Sequence, residues 1–86
     1  MDVTVYGPLR SATGGKQVRV EFDGGAVEEA LDAFTAAYPR AEGHLYTDCG
    51  ELAPSVRLLV DGESVELDDE CPPGATLTVH PAMRGG

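Results

Sequence analysis

Eighty-six residues suffice for one domain, which at this size buries only about 60–65 % of the surface its unfolded chain exposes, so a single small core is expected. Fifteen Asp and Glu against six Lys and Arg give a formal charge of −9, which excludes a basic footprint for nucleic acid or for an anionic membrane. No apolar run approaches the ~20 residues that span a bilayer, and Cys49 and Cys71 are too few for a disulfide framework or an iron–sulfur cluster.

Dense carboxylates beside a single lysine, Lys16, suit a cytosol at molar salt, where the Debye length is about 3 Å and self-repulsion is screened. The first residues enter a strand pattern at once, without the basic and apolar layout of a secretory leader. A cytoplasmic location is therefore expected, with both thiols reduced.

Asp2-Val3-Thr4-Val5-Tyr6 alternates, with Val3 and Val5 on one face, and predicts the first strand. Gly7-Pro8 breaks it and Gly14-Gly15 closes an irregular connection. Gln17 to Phe22 alternates again, with Val18, Val20 and Phe22 inward, so the two strands make a hairpin. Beyond Asp23-Gly24-Gly25, the residues Val27, Ala30, Leu31, Phe34, Ala37 and Tyr38 recur as one stripe of an α-helix. Glu28 and Glu29 complement the helix dipole in its first turn, Ala26 stands at the N-cap without a capping side chain, and Pro39 ends the helix.

Residues 40–54 read as a polar connection anchored by Leu45 and Leu52. Ser55 to Asp61 predicts a third strand with Val56, Leu58 and Val60 inward, Asp61-Gly62 a turn, and Ser64 to Leu67 a short edge strand. An acidic loop over 68–74 leads to a last strand, Thr76 to His80, with Leu77 and Val79 inward. One helix for four or five strands predicts an α+β fold, a mixed four- to five-stranded sheet packed on one side by that helix. The first and last strands, both short and strongly apolar, gain most cover side by side at the sheet centre. Residues 1–81 form the domain and 82–86 a flexible tail ending in Gly85-Gly86, which lack Cβ atoms and so suit a narrow channel in a partner.

The element order, Tyr6-Gly7-Pro8-Leu9-Arg10, Thr13-Gly14-Gly15, Asp48-Cys49-Gly50-Glu51-Leu52, Leu59-Val60-Asp61-Gly62 and the final Gly-Gly together resemble one known group. It is the β-grasp, ubiquitin-like family of sulfur carriers, in its molybdopterin synthase small-subunit branch, and the acidic composition is most similar to the small archaeal modifier proteins of haloarchaea. The chain departs from that pattern at Ala26, where the family commonly has Ser or Thr, and at Asp61, where Asn is frequent.

The resemblance implies a protein that is itself a substrate rather than an enzyme. A partner E1-like enzyme, using ATP and magnesium, adenylates the carboxylate of Gly86. The acyl group then passes to a lysine of a target protein, or accepts sulfur as a thiocarboxylate for molybdopterin synthase, with its large subunit as partner, or for tRNA thiolation. Gly85, Arg84 and Met83 would occupy the partner's channel, Met83 as a flexible apolar contact. Lys16, the sole internal lysine, is the one candidate isopeptide acceptor within the chain.

Leu59 points away from Leu58 and Val60, onto an open sheet face that Tyr6 and His80 should share, and these three residues form a candidate partner surface. His44 and His80 show no metal-ligand spacing. Cys49 beside Asp48, and Cys71 after Asp68, Asp69 and Glu70, sit in acidic surroundings that oppose nucleophilic use. With no catalytic triad, phosphate loop or carboxylate pair legible in the spacing, neither a bound cofactor nor a metal is expected.

Overall fold

A computed structural model describes residues 1–81. Its elements in chain order are β1 (Asp2–Val5), α1 (Leu9–Thr13), β2 (Gln17–Arg19), β3 (Gly25–Ala26), α2 (Val27–Ala37), a 3-10 helix (Pro39–His44), β4 (Arg57–Val60), β5 (Glu63–Ser64), β6 (Glu70–Cys71) and β7 (Thr76–His80). Five strands form one mixed sheet in the order β2-β1-β7-β4-β5. The first and last strands pair in parallel, Val3 with Leu77 and Val5 with Val79, in the sheet interior. Antiparallel neighbours flank them, β2 on β1 and β4 on β7.

Alternation decides which face is covered. Val3, Val5, Leu58, Val60, Leu77 and Val79 are buried together with Val27, Ala30, Leu31 and Phe34 of α2. Each large side chain so buried gains about 1.5–3 kcal/mol of transfer free energy, which sets register because a one-residue slip would expose the whole set. No helix among the described residues is long and apolar enough to cross a membrane.

The N-terminus of α2 resolves the missing cap at Ala26, which makes no side-chain capping bond. Val27 N–H donates to the Asp69 carbonyl at 2.8 Å and Glu28 N–H to the Leu67 carbonyl at 2.9 Å. Backbone carbonyls at and just before the acidic loop thus satisfy donors that a Ser or Thr would otherwise serve. Just before the helix, Gly25 and Ala26 pair with Cys71 and Glu70, a two-stranded ribbon that holds the loop in place.

Several expectations need correction. The connection after β1 holds a helix, α1, whose Leu9 is fully buried and whose end is closed by Gly14 N–H donating to the Arg10 carbonyl. β2 ends at Arg19 rather than Phe22, which is only half-buried; beyond Arg19, one backbone pair between Val20 and Met1 remains. Ala37 is exposed, because at 3.6 residues per turn it lies about 80° from Val27 around the helix, at the rim of the stripe. The third strand is limited to Arg57–Val60, and the edge strand lies at Glu63–Ser64 rather than Ser64 to Leu67. The 40–54 connection begins within a 3-10 helix, and its two leucines do anchor it, Leu45 fully buried and Leu52 half-buried with Tyr46 bridged across to it.

Candidate functional site

Parallel pairing carries the C-terminal ends of β1 and β7 to the same edge of the sheet, so Tyr6, one residue past β1, stands beside His80, the end of β7. Their rings stack with centroids 4.5 Å apart and planes 2° from parallel. Tyr6 is the one large hydrophobic side chain exposed among the described residues, at 38 %. Lys16 Nζ lies 5.9 Å from the Tyr6 ring centroid, within cation–π reach. On the other side, Arg57 is the register partner of His80.

These residues border a groove of about 370 Å³, lined by Tyr6, Gly7, Pro8, Ser55, Arg57, His80 and Pro81. Among the described residues no carboxylate lines it, in a chain of net charge −9. Buried Pro81, which follows β7 directly and is the last described residue, is itself part of this lining. Gly7 makes the close approach possible. It sits at φ +60°, and a Cβ there would stand 3.3 Å from Pro81 Cγ. The turn is held from the other side by α1, since Arg10 N–H donates to the Gly7 carbonyl at 3.1 Å and Ser11 N–H to the Pro8 carbonyl at 3.2 Å.

Of the residues singled out by sequence, Tyr6 and His80 meet directly, and Lys16 joins them on its lysine side chain. Leu59 lies on the same open face, between Thr78 and Ser64 and half-buried, but it is one row removed and does not line the groove. Met83, Arg84, Gly85 and Gly86 lie outside the described residues. Sequence reasoning overlooked Arg57 as a site residue. The alternation that puts Leu58 and Val60 inside also puts Arg57 outside, next to Leu59, so the signal was present.

The thiols take no part. Cys49 is exposed and Cys71 buried, both free. Burial first, then the Asp61 carboxylate, pushes the Cys71 thiol up, whereas the amino terminus opposes the shift; the sequence-adjacent acids are not the cause. Among the described residues no group of three His, Cys, Asp or Glu is placed to hold a metal ion.

Comparison with known proteins agrees with this architecture. The profile of the ThiS family matches residues 3–86. Small archaeal modifier protein 1 of Haloferax volcanii is 34 % identical over 87 residues, covering all of both chains. A crystal structure of that Haloferax volcanii protein superposes with a TM-score of 0.88 at 32 % identity, over 100 % of this chain and 98 % of the other. A chain of the Amycolatopsis orientalis BexX/CysO complex gives a TM-score of 0.77 at 29 % identity, over 99 % and 98 % of the two chains. The β-grasp expectation is borne out by these structures.

Proposed function

Because the chain belongs to the ThiS family, we propose that it is a ubiquitin-like protein modifier joined to target lysines through the carboxylate of Gly86. The end-to-end correspondence with Small archaeal modifier protein 1 carries this reading. A carboxylate is a poor electrophile and must first be activated. In the proposed sequence an E1-like enzyme holding ATP and magnesium brings a Gly86 carboxylate oxygen onto the α-phosphate. Pyrophosphate leaves and an acyl-adenylate forms. A target lysine amine then attacks the acyl carbon, AMP departs with the bonding electrons, the amine loses a proton, and an isopeptide bond remains.

In this proposal the domain 1–81 presents the tail 82–86 to the partner. The Tyr6–His80 stack, Arg57 and Pro8 form the rim against which the enzyme seats, with Leu59 at its margin, while Met83, Arg84 and Gly85 thread its channel. That no described carboxylate lines the groove supports this placement, because a negative rim would repel an acidic partner surface. Lys16 serves as the internal acceptor for self-conjugation, and Lys16→Arg should remove conjugates between copies while sparing those on other proteins.

A second reading is favoured by the likeness to a chain of the BexX/CysO complex and by the family itself. There a sulfur nucleophile displaces AMP from the same adenylate, leaving a thiocarboxylate for molybdopterin synthesis, with that synthase's large subunit as partner, or for tRNA thiolation. Both readings are tested by incubating the purified chain with its cognate E1-like enzyme, ATP, magnesium and either a sulfur donor or lysine-bearing proteins. Intact-mass analysis distinguishes one oxygen exchanged for sulfur from Gly-Gly remnants on lysines. A chain lacking Gly86 that reacted as fast as the full one would refute both.

A further inference from the structure

The open face is not the chain's only exposed apolar surface. Ser55 and Arg57 line the groove beside Tyr6 and His80, while their alternate neighbours Val56 and Leu58 line a second groove on the helix side of the sheet. This second groove encloses about 480 Å³, and Leu52, Val65 and Leu67 complete its floor. Past Leu52 and Leu67 it continues into a further recess of about 340 Å³ that ends at Tyr46. Leu52, Val56, Val65, Leu67 and Tyr46 are all half-buried, packed on the core from below yet wetted from above. Glu28, Asp32, Glu51, Glu66 and Asp68 stand around them, and among the described residues no Lys, Arg or His lines either recess.

We propose that this groove docks a basic amphipathic segment of a partner protein, its apolar side chains covering the leucine and valine floor and its Arg or Lys groups meeting the carboxylate rim. Charge complementarity selects the occupant. Adaptation to molar salt accounts for carboxylates anywhere on a solvated surface, but not for their setting around an apolar floor. A metal ion is a poor match for them, because among the described residues no three acidic, His or Cys groups gather closely enough to hold one. Spaced carboxylates suit spaced guanidinium or ammonium groups instead. At the far end, burial and then Asp32, Glu42 and Glu28 push the Tyr46 phenol above its ordinary value, which agrees with a negative potential there. The groove lies across the sheet from the one that Tyr6 and His80 line, and docking here does not depend on the chemistry of Gly86.

The probe is a synthetic helical peptide with Leu at i, i+3, i+4 and i+7 and Arg elsewhere, titrated into the full chain and followed by heteronuclear NMR. Shifts should concentrate at Tyr46, Leu52, Val56, Val65 and Leu67, and a chain lacking Gly86 should bind equally. Asp32→Lys with Glu51→Lys should weaken binding by about tenfold or more, equivalent to about 1.4 kcal/mol. The charge-matched pair Glu21→Lys with Glu63→Lys, at exposed positions outside the groove, should weaken it by less than about twofold. Thermal unfolding by circular dichroism establishes that both variants fold. Equal losses in the two pairs, undiminished binding of a peptide with Ser in place of Leu, or shifts centred on Tyr6 and His80 would each overturn the proposal, leaving only general attraction to a polyanion or docking at the other face.

Discussion

Gly7→Ala probes the link between the turn after β1 and the point where the chain leaves the sheet. Gly7 and Gly14 both adopt left-handed backbone, at φ +60° and +83°. An L-residue there costs about 1–2 kcal/mol, partly offset by about 0.4–1 kcal/mol from the stiffer unfolded chain. The two sites differ in what a Cβ meets. At Gly14 nothing lies within 4 Å, whereas at Gly7 the Pro81 Cγ is at 3.3 Å. Pro81 must yield by a few tenths of an ångström, which adds up to about 1 kcal/mol at the low end of overpacking costs. Gly14→Ala should therefore lose about 1 kcal/mol and Gly7→Ala about 2 kcal/mol.

For a domain of this size each kcal/mol moves Tm by about 4–8 °C, so thermal and urea unfolding followed by circular dichroism separates the two. Adenylation by the E1-like enzyme, measured below both transitions, should slow in Gly7→Ala and be unchanged in Gly14→Ala, because only the former displaces Pro81. Equal stability losses would mean that the Gly7–Pro81 approach is slack. Equal adenylation rates would mean that the exit direction at Pro81 does not matter to the partner.

Iodoacetamide should label Cys49 in the native chain and reach Cys71 only on unfolding; prompt double labelling would contradict the burial of Cys71. The Cys71 thiol is raised above its ordinary 9.0, so in rising pH the unfolded thiol ionises first and the unfolded state then binds fewer protons than the native one. Stability from this group is complete below that value and is lost as pH climbs through the raised native pKa, and Cys71→Ala should remove that alkaline decline in urea titrations. A double-mutant cycle of Tyr6→Ala and His80→Ala should give a coupling of about 0.5–1 kcal/mol for the stack, and a null value would show that the rings merely adjoin. Arg57→Glu should leave Tm within about 2 °C while cutting kcat/KM for adenylation by about tenfold. Raising KCl from about 0.1 M to about 2 M should increase the urea midpoint, since screening relieves repulsion at a charge of −9; an unchanged midpoint would argue that the acidity serves partners alone.

The parts of the fold that were legible share one property: they are periodic and buried on one side. Val3 and Val5, Leu77 and Val79, and the stripe from Val27 to Phe34 announce their faces because burial selects apolar residues at fixed intervals. α1 escaped because its five residues, Leu9 to Thr13, contain one buried side chain, and a single Leu9 has no period. The β3–β6 ribbon escaped for a different reason. Two residues per strand give no alternation, and the pairing is between Gly25-Ala26 and Glu70-Cys71, segments far apart in the chain.

The candidate site was half legible on the same grounds. Alternation assigns a residue to a face but says nothing of its row, and rows are set by which strands pair and in what register. The sequence therefore placed Tyr6, Leu59 and His80 together on the open face, but their separation required the pairings of Arg57 with His80 and of Leu59 with Thr78. Those two pairings move Leu59 out of the groove and bring Arg57 into it. The same strand then explains why two partner surfaces can coexist on so small a chain. Residues 55–58 alternate Ser, Val, Arg, Leu, and that two-residue period sends one pair toward the groove beside Tyr6 and His80 and the other toward the acidic-rimmed groove. A one-residue shift of β4 against β7 would exchange the two surfaces and bury Arg57 without a partner. The burial of Leu58 and Val60 against Val79 and Leu77 opposes that slip, and so fixes both surfaces with the energy that fixes the core.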